Sequence, residues 1–165
     1  MHVRNVEHAH QGVLRISPSL NFLRRCTTNF TNIKEDIEKE FSIVAYRGGE
    51  RVIALKGKGV SPLMEFIVHN ENNLSQYENL LWGDRVVGRA SAMLLVKFKA
   101  KAIYGKIVST SAKAFLEGKI PIEYEILVPF IKGREGRGIC PMERLVEDTL
   151  DIEEGFKRLK EFLKV

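Results

Sequence analysis

The stretch from Trp82 to Phe98, WGDRVVGRASAMLLVKF, constrains the fold more than any other. Its apolar residues fall on several helical faces, and Gly88, Ala90, Ser91 and Ala92 are small enough for close approach to a sheet. The pattern predicts a central helix buried inside one domain, with Asp84 as its N-cap.

Around it the chain reads as alternating helices and strands. Ile33, Ile37 and Phe41 mark a short amphipathic helix over 33–40. FSIVAY and RVIAL flank Arg47-Gly48-Gly49-Glu50, the pattern of a β-hairpin. Gly57 and Gly59 form a turn, and Ser61 with Pro62 opens a helix whose apolar face carries Leu63, Phe66 and Ile67. The polar run after it, with Ser75 and Glu78 spaced as a capping box, reads as one more helical turn in an insertion.

Ala102 to Val108 reads as a third strand, followed by a helix that Ser109, Thr110 or Ser111 can cap and Gly118 ends. Residues 120–128 alternate as a fourth strand. Two helices close the chain, the first from Pro141 and the second behind an Asp151–Glu154 capping pair. This order calls for an α/β fold: a three-layer α/β/α sandwich on a mixed sheet, with strands one and two antiparallel and strands one, three and four parallel.

At 165 residues, 44% hydrophobic and 28% charged, the chain has the balance of one globular domain. Residues 1–31 lack periodicity and read as a poorly ordered N-terminal extension; residues 32–165 form the domain. Arg4, Arg15, Arg24 and Arg25 against Glu7 place +3 of the net +5 in that extension, which leaves +2 for the rest. A body so nearly neutral has no basic stripe to track a phosphate backbone, which argues against nucleic acid as partner. His8 and His10 lack a third metal ligand. Cys26 and Cys140 do not make a disulfide framework, and no apolar run approaches bilayer length. A cytoplasmic protein with no membrane contact is expected.

Two clusters carry candidate chemistry. In FIKGREGRGICPMERL, Gly133, Gly136 and Gly138 make a pliant loop and Lys132, Arg134 and Arg137 make it cationic; it opens onto a helix start, where free N–H groups favour an anion. Cys140 sits at the N-cap, a position that favours thiolate over thiol, and Glu143 in the first turn is a candidate general base. A connector that is merely soluble, with a buried cysteine, has the same composition. In the second cluster Asp84, with Arg85 beside it, and the Ser109, Thr110 and Ser111 hydroxyls start two helices that can converge on one crevice, as in open α/β sheets.

GVSPLMEF, GDRVVGRASAMLLV, KIVS and above all GRGICPMERLV resemble a small prokaryotic family catalogued as a domain of unknown function, whose fold is similar to cytidine deaminase. The resemblance covers about 33–165 and implies a deaminase-like sheet in the order 2-1-3-4. Zinc deamination needs a His or Cys ligand with a Glu at one helix start and P-C-x-x-C at the next. Asp84, Arg85 and Val86, and Ser109 to Ala112, offer neither, so no metal and no cofactor are expected.

The expected function is thus a deaminase-like domain that binds a nucleotide or another phosphorylated small molecule between the central helix and the Cys140 loop. Asp84, Cys140 and Glu143 are its candidate reactive groups, and zinc-dependent deamination is not expected. The rival is a regulatory or scaffolding module that kept the fold and binds a protein partner.

Overall fold

Two glycines close the first hairpin. Gly48 and Gly49 carry φ of +56° and +90°, the pair of positive angles that a tight two-residue turn requires, and Arg47 pairs with Glu50 across it. The hairpin joins β1 (Ile43–Arg47) to β2 (Glu50–Leu55), with a register shift between Ala45 and Tyr46. In this computed structural model, residues 28–133 and 136–165 are described. The extension expected over residues 1–31 lies mostly outside them, as do His8, His10, Cys26 and Arg134. Within the described part Phe30 is already buried and α1 (Thr31–Lys39) begins.

The Trp82–Phe98 stretch is not one helix. Leu81–Val87 is a strand, β3, and Arg89–Lys97 is the helix α3. Gly88 between them is extended, with φ −90° and ψ 175°, and marks the break. Asp84 is therefore no helix cap; it lies in mid-strand. The reason is burial on both sides: β3 is hydrogen-bonded to β1 on one side and to β4 (Ala102–Ser109) on the other. Packed layers above and below leave Trp82, Gly83 and Asp84 all inaccessible.

The sheet has five strands in the order β2-β1-β3-β4-β5, with β5 at Ile122–Val128. The four strands expected from sequence keep their relative order, and β3 is inserted among them. Strand directions differ from expectation. β1 runs antiparallel to β3, while β3, β4 and β5 are mutually parallel. The parallel part is built from two β–helix–β units, through α3 and through α4 (Thr110–Leu116). Gly118, with φ +72°, follows α4 as the sequence indicated.

Helices cover both faces. On one, α1 lays Ile33 and Ile37 against Val44, Ala102 and Tyr104. It docks over Gly83, where a Cβ would come within 2.2 Å of Ile33 Cγ2. On the other, α2 (Ser61–His69), α3, α4 and α6 (Ile152–Leu163) enclose the larger core around Trp82, Ile103, Met93 and Leu159. Each fully buried aliphatic side chain here contributes about 1.5–3 kcal/mol. Asp151 caps α6 by accepting the Glu154 N–H at 2.9 Å. The polar run after α2 is a 3-10 helix, Glu71–Tyr77, which ends near the expected capping box instead of beginning there. The helix from Pro141, α5, spans only Pro141–Leu145. Among the described residues no helix is long and apolar enough to cross a membrane.

Candidate functional site

The three parallel strands end side by side, β3 at Val87, β4 at Ser109 and β5 at Val128, and the chain beyond β5 folds back over those ends. Its anchor is Glu143. Although α5 is a single turn, it places this carboxylate in a buried position where three elements supply donors. Oε1 accepts from the Ser109 hydroxyl and from the Arg89 N–H at 3.3 Å, and Oε2 accepts from the Ile131 N–H at 2.7 Å. Gly88 makes the room: a Cβ there would lie 3.1 Å from Ile131 Cγ1 and 3.3 Å from Glu143 Cγ. Arg89 ties the same region down through its guanidinium, which donates to the Val146 and Thr149 carbonyls at 2.9 and 2.8 Å.

Beside this pin lies a cavity of about 660 Å³, within the range of small-molecule sites. One wall is the turn into α2 with Lys58, Gly59 and Ser61; a second is Gly88, Ala90 and Ser91 at the start of α3. A third is the loop after β5, and Phe162 and Leu163 at the end of α6 complete it. Lys58, Lys132 and Arg137 all line it with exposed side chains, and none is paired with a carboxylate among the described residues. The remaining lining is largely apolar, including Val60, Val86, Ile131, Ile139 and Met142.

Of the loop cluster, Lys132, Gly133, Arg137, Cys140 and Glu143 line the cavity. The loop is a narrow hairpin: Lys132 and Ile139 form an antiparallel bridge, and the Gly133 N–H donates to the Gly138 carbonyl. Gly136 and Gly138, with φ of +70° and +62°, shape its turn and do not line the cavity. Cys140 is half-buried, and its thiol makes no cap hydrogen bond. A one-turn helix carries little dipole, so α5 gives the Cys140 thiol little of the thiolate stabilisation expected of an N-cap position.

The other cluster is split by the sheet. Asp84 sits behind the first turn of α3, where it accepts the Ser91 hydroxyl and, at 3.0 Å, the Val86 N–H. Burial pushes its pKa up to about 7, against the lowering effect of those hydrogen bonds and of Arg85. Arg85 points to the opposite face, donating to the Ile37 and Phe41 carbonyls at the end of α1 at 2.7 and 3.0 Å. Ser109 N-caps α4, accepting the Ala112 N–H at 3.1 Å while it donates to Glu143. Thr110 donates to the Pro129 carbonyl, and neither Thr110 nor Ser111 lines the cavity.

Sequence reasoning missed the α2 wall, Ser91 and the α6 residues. The signal for the first was present: Gly57-Lys58-Gly59 before Ser61-Pro62 repeats the combination of glycine, cation and helix-starting proline that drew attention to the Cys140 loop. No such signal exists for Phe162, which arrives from the far end of the chain.

Of the helix starts facing the cavity, that of α5 carries the single thiol of Cys140, and those of α2 and α3 carry neither thiol nor imidazole. α2 begins Ser61-Pro62-Leu63-Met64-Glu65 and α3 begins Arg89-Ala90-Ser91-Ala92. Among the described residues no three His, Cys, Asp or Glu side chains are grouped to hold a metal ion.

Among curated proteins nothing matches this chain. A crystal structure of a DUF1893 family protein from Thermotoga maritima is similar, with a TM-score of 0.68 and 27% identity over 95% of this chain and 97% of that one. Residues 32–163 match the family described as a domain of unknown function, DUF1893, and the chain accordingly belongs to that family.

Proposed function

We propose that the domain is deaminase-like in fold and binds a phosphorylated small molecule, a nucleotide or another phosphate ester, in the cavity between α3 and the Cys140 loop. The observation that carries this reading is the meeting on one cavity, at the ends of the parallel strands, of three cations, Lys58, Lys132 and Arg137, that form no ion pair among the described residues. Open α/β sheets hold their ligands at that end. The nine-residue helices α2 and α3 also begin there; the Arg89 N–H is held by Glu143 and Pro62 has none, but the first-turn N–H groups of Ala90 and Ser91 are open among the described residues and add to the attraction for an anion. Asp84 stands behind this cavity, while Cys140 and Glu143 line it; the three internal partners of Glu143 support a role in holding the loop, and Cys140 is the candidate reactive group beside the ligand. Zinc-dependent deamination has no support in the donor set, because neither helix start presents the ligands that a tetrahedral zinc needs.

Thermal unfolding with inorganic phosphate, nucleosides and nucleotides tests the reading. A bound phosphate ester at a hundred times its Kd stabilises by about 2.7 kcal/mol. For a domain of this size that raises Tm by roughly 5–10 °C. A flat response across the panel refutes it. A scaffolding role then gains ground from the exposed apolar side chains Ile126, Leu127 and Phe130, on and just beyond the edge strand β5.

A further inference from the structure

The carbonyls and uncharged polar side chains around the cavity are mostly engaged within the protein, and this restricts the ligand that the cavity can hold. The Ser91 hydroxyl donates a hydrogen bond to Asp84, and Glu143 accepts from Ser109, Arg89 and Ile131. The carbonyls of Val60, Gly88, Ile131, Gly133 and Cys140 accept from Met64, Ala92, Cys140, Gly136 and Arg144 respectively. Of the amides, Gly133 and Cys140 are spent on the loop's own hairpin and Arg89 on Glu143, Pro62 and Pro141 have none, and the open first-turn amides of Ala90 and Ser91 are donors that suit an anion. Beyond the three cations, the Ser61 hydroxyl and the Cys140 thiol are the lining side chains with open hydrogen-bonding capacity among the described residues.

A nucleobase entering such a cavity brings several edge donors and acceptors and loses its water from all of them. Each one left unpaired weakens binding by roughly five- to a hundredfold. An apolar body suffers no such penalty, and each methylene that it buries strengthens binding by roughly fourfold. We infer that the cavity takes a phosphomonoester with an apolar organic body: the phosphate at Lys58, Lys132 and Arg137, the body along Val86, Ala90, Ile139, Met142 and Phe162. This rests on the reading of the cavity as a phosphate-ester site and narrows it to a ligand class.

The full-length protein, titrated and followed by its thermal transition, decides the matter with four probes: inorganic phosphate, hexyl phosphate, hexanoate and adenosine 5′-monophosphate. Hexyl phosphate is expected to stabilise at a concentration at least tenfold below that needed for each of the others, the gain from two or three buried methylenes. A smaller advantage over phosphate or hexanoate overturns the inference. Adenosine monophosphate acting at the lower concentration overturns it too, but leaves the phosphate-ester reading standing. Silence from every phosphate probe removes both. Replacement of the exposed cations, Lys132→Gln with Arg137→Gln, should weaken the hexyl phosphate response at least fivefold; an unchanged response would show that the anion does not sit there.

Discussion

Replacing Asp84 with Asn should leave a clear mark on the pH dependence of stability. Asp84 is wholly inside the domain, between β3 and the first turn of α3, with a pKa of about 7. In the unfolded chain an aspartate titrates near 3.9. The folded value is the higher, so the folded protein binds the proton more tightly. The associated stability is fully present below the unfolded value and is lost as pH rises through 7. Between pH 5 and pH 8 the two values imply a loss of roughly 2.5 kcal/mol from this one group. Asn has the same shape. Its oxygen can accept from the Val86 N–H and its amide can donate to Ser91, so Asp84→Asn carries a constant offset but no titration. Urea unfolding of both proteins at pH 5, 6, 7 and 8 gives the difference directly. Wild type should lose about 2.5 kcal/mol relative to the variant across that range, most of it below pH 7. Parallel curves for the two proteins, within about 0.5 kcal/mol, would refute the buried and protonatable carboxyl.

Glu143→Ala should lower stability by about 3 kcal/mol, since it strands the Ile131 and Arg89 N–H groups and the Ser109 hydroxyl, while Glu143→Gln should cost about half as much; chemical denaturation reads both. Gly83→Ala forces a Cβ against Ile33 and should destabilise by about 2 kcal/mol or more, whereas Gly48→Ala, with open space around it, should cost only about 1 kcal/mol for its positive φ; equal effects would mean that α1 is not docked over Gly83. Alkylation of Cys140 by iodoacetamide, followed by peptide mapping with Cys26 as the internal reference, should slow at least threefold when hexyl phosphate saturates the cavity, and an unchanged rate would separate the thiol from the bound ligand.

Local chemistry made the hairpin at Gly48-Gly49, the α2 start at Ser61-Pro62, the Ser109 cap and the Asp151 cap readable from sequence, because in each a few adjacent residues decide the backbone. The central stretch was not readable in this way. β3 is buried on both faces, so Trp82, Gly83, Asp84 and Val87 do not alternate between apolar and polar, and a short buried strand joined to a buried helix resembles one long buried helix. The only local mark of the junction is Gly88. The other differences follow from it: without β3, the sequence pattern sets the third strand beside β1 and parallel to it, and makes Asp84 with Arg85 a helix start. The loop cluster survived as part of the candidate site because its glycines and cations are local features. The rest of the cavity is assembled from segments about a hundred residues apart in sequence, Lys58 to Phe162, a proximity that no local pattern encodes.

The Glu143 carboxylate has a consequence for anyone altering the walls of the cavity. It is the common partner of Ser109 on β4, of the first amide of α3 and of Ile131 in the loop. Substitutions at sites that share a partner do not act independently. Their coupling energies commonly reach 0.5–3 kcal/mol. A change at Ser109 thus alters what a change near Ile131 will do, although the two sit on different segments. Libraries that vary one wall at a time will misjudge the combinations, and the walls around Glu143 have to be redesigned together, whereas the exposed cations at Lys58 and Lys132 can be varied singly.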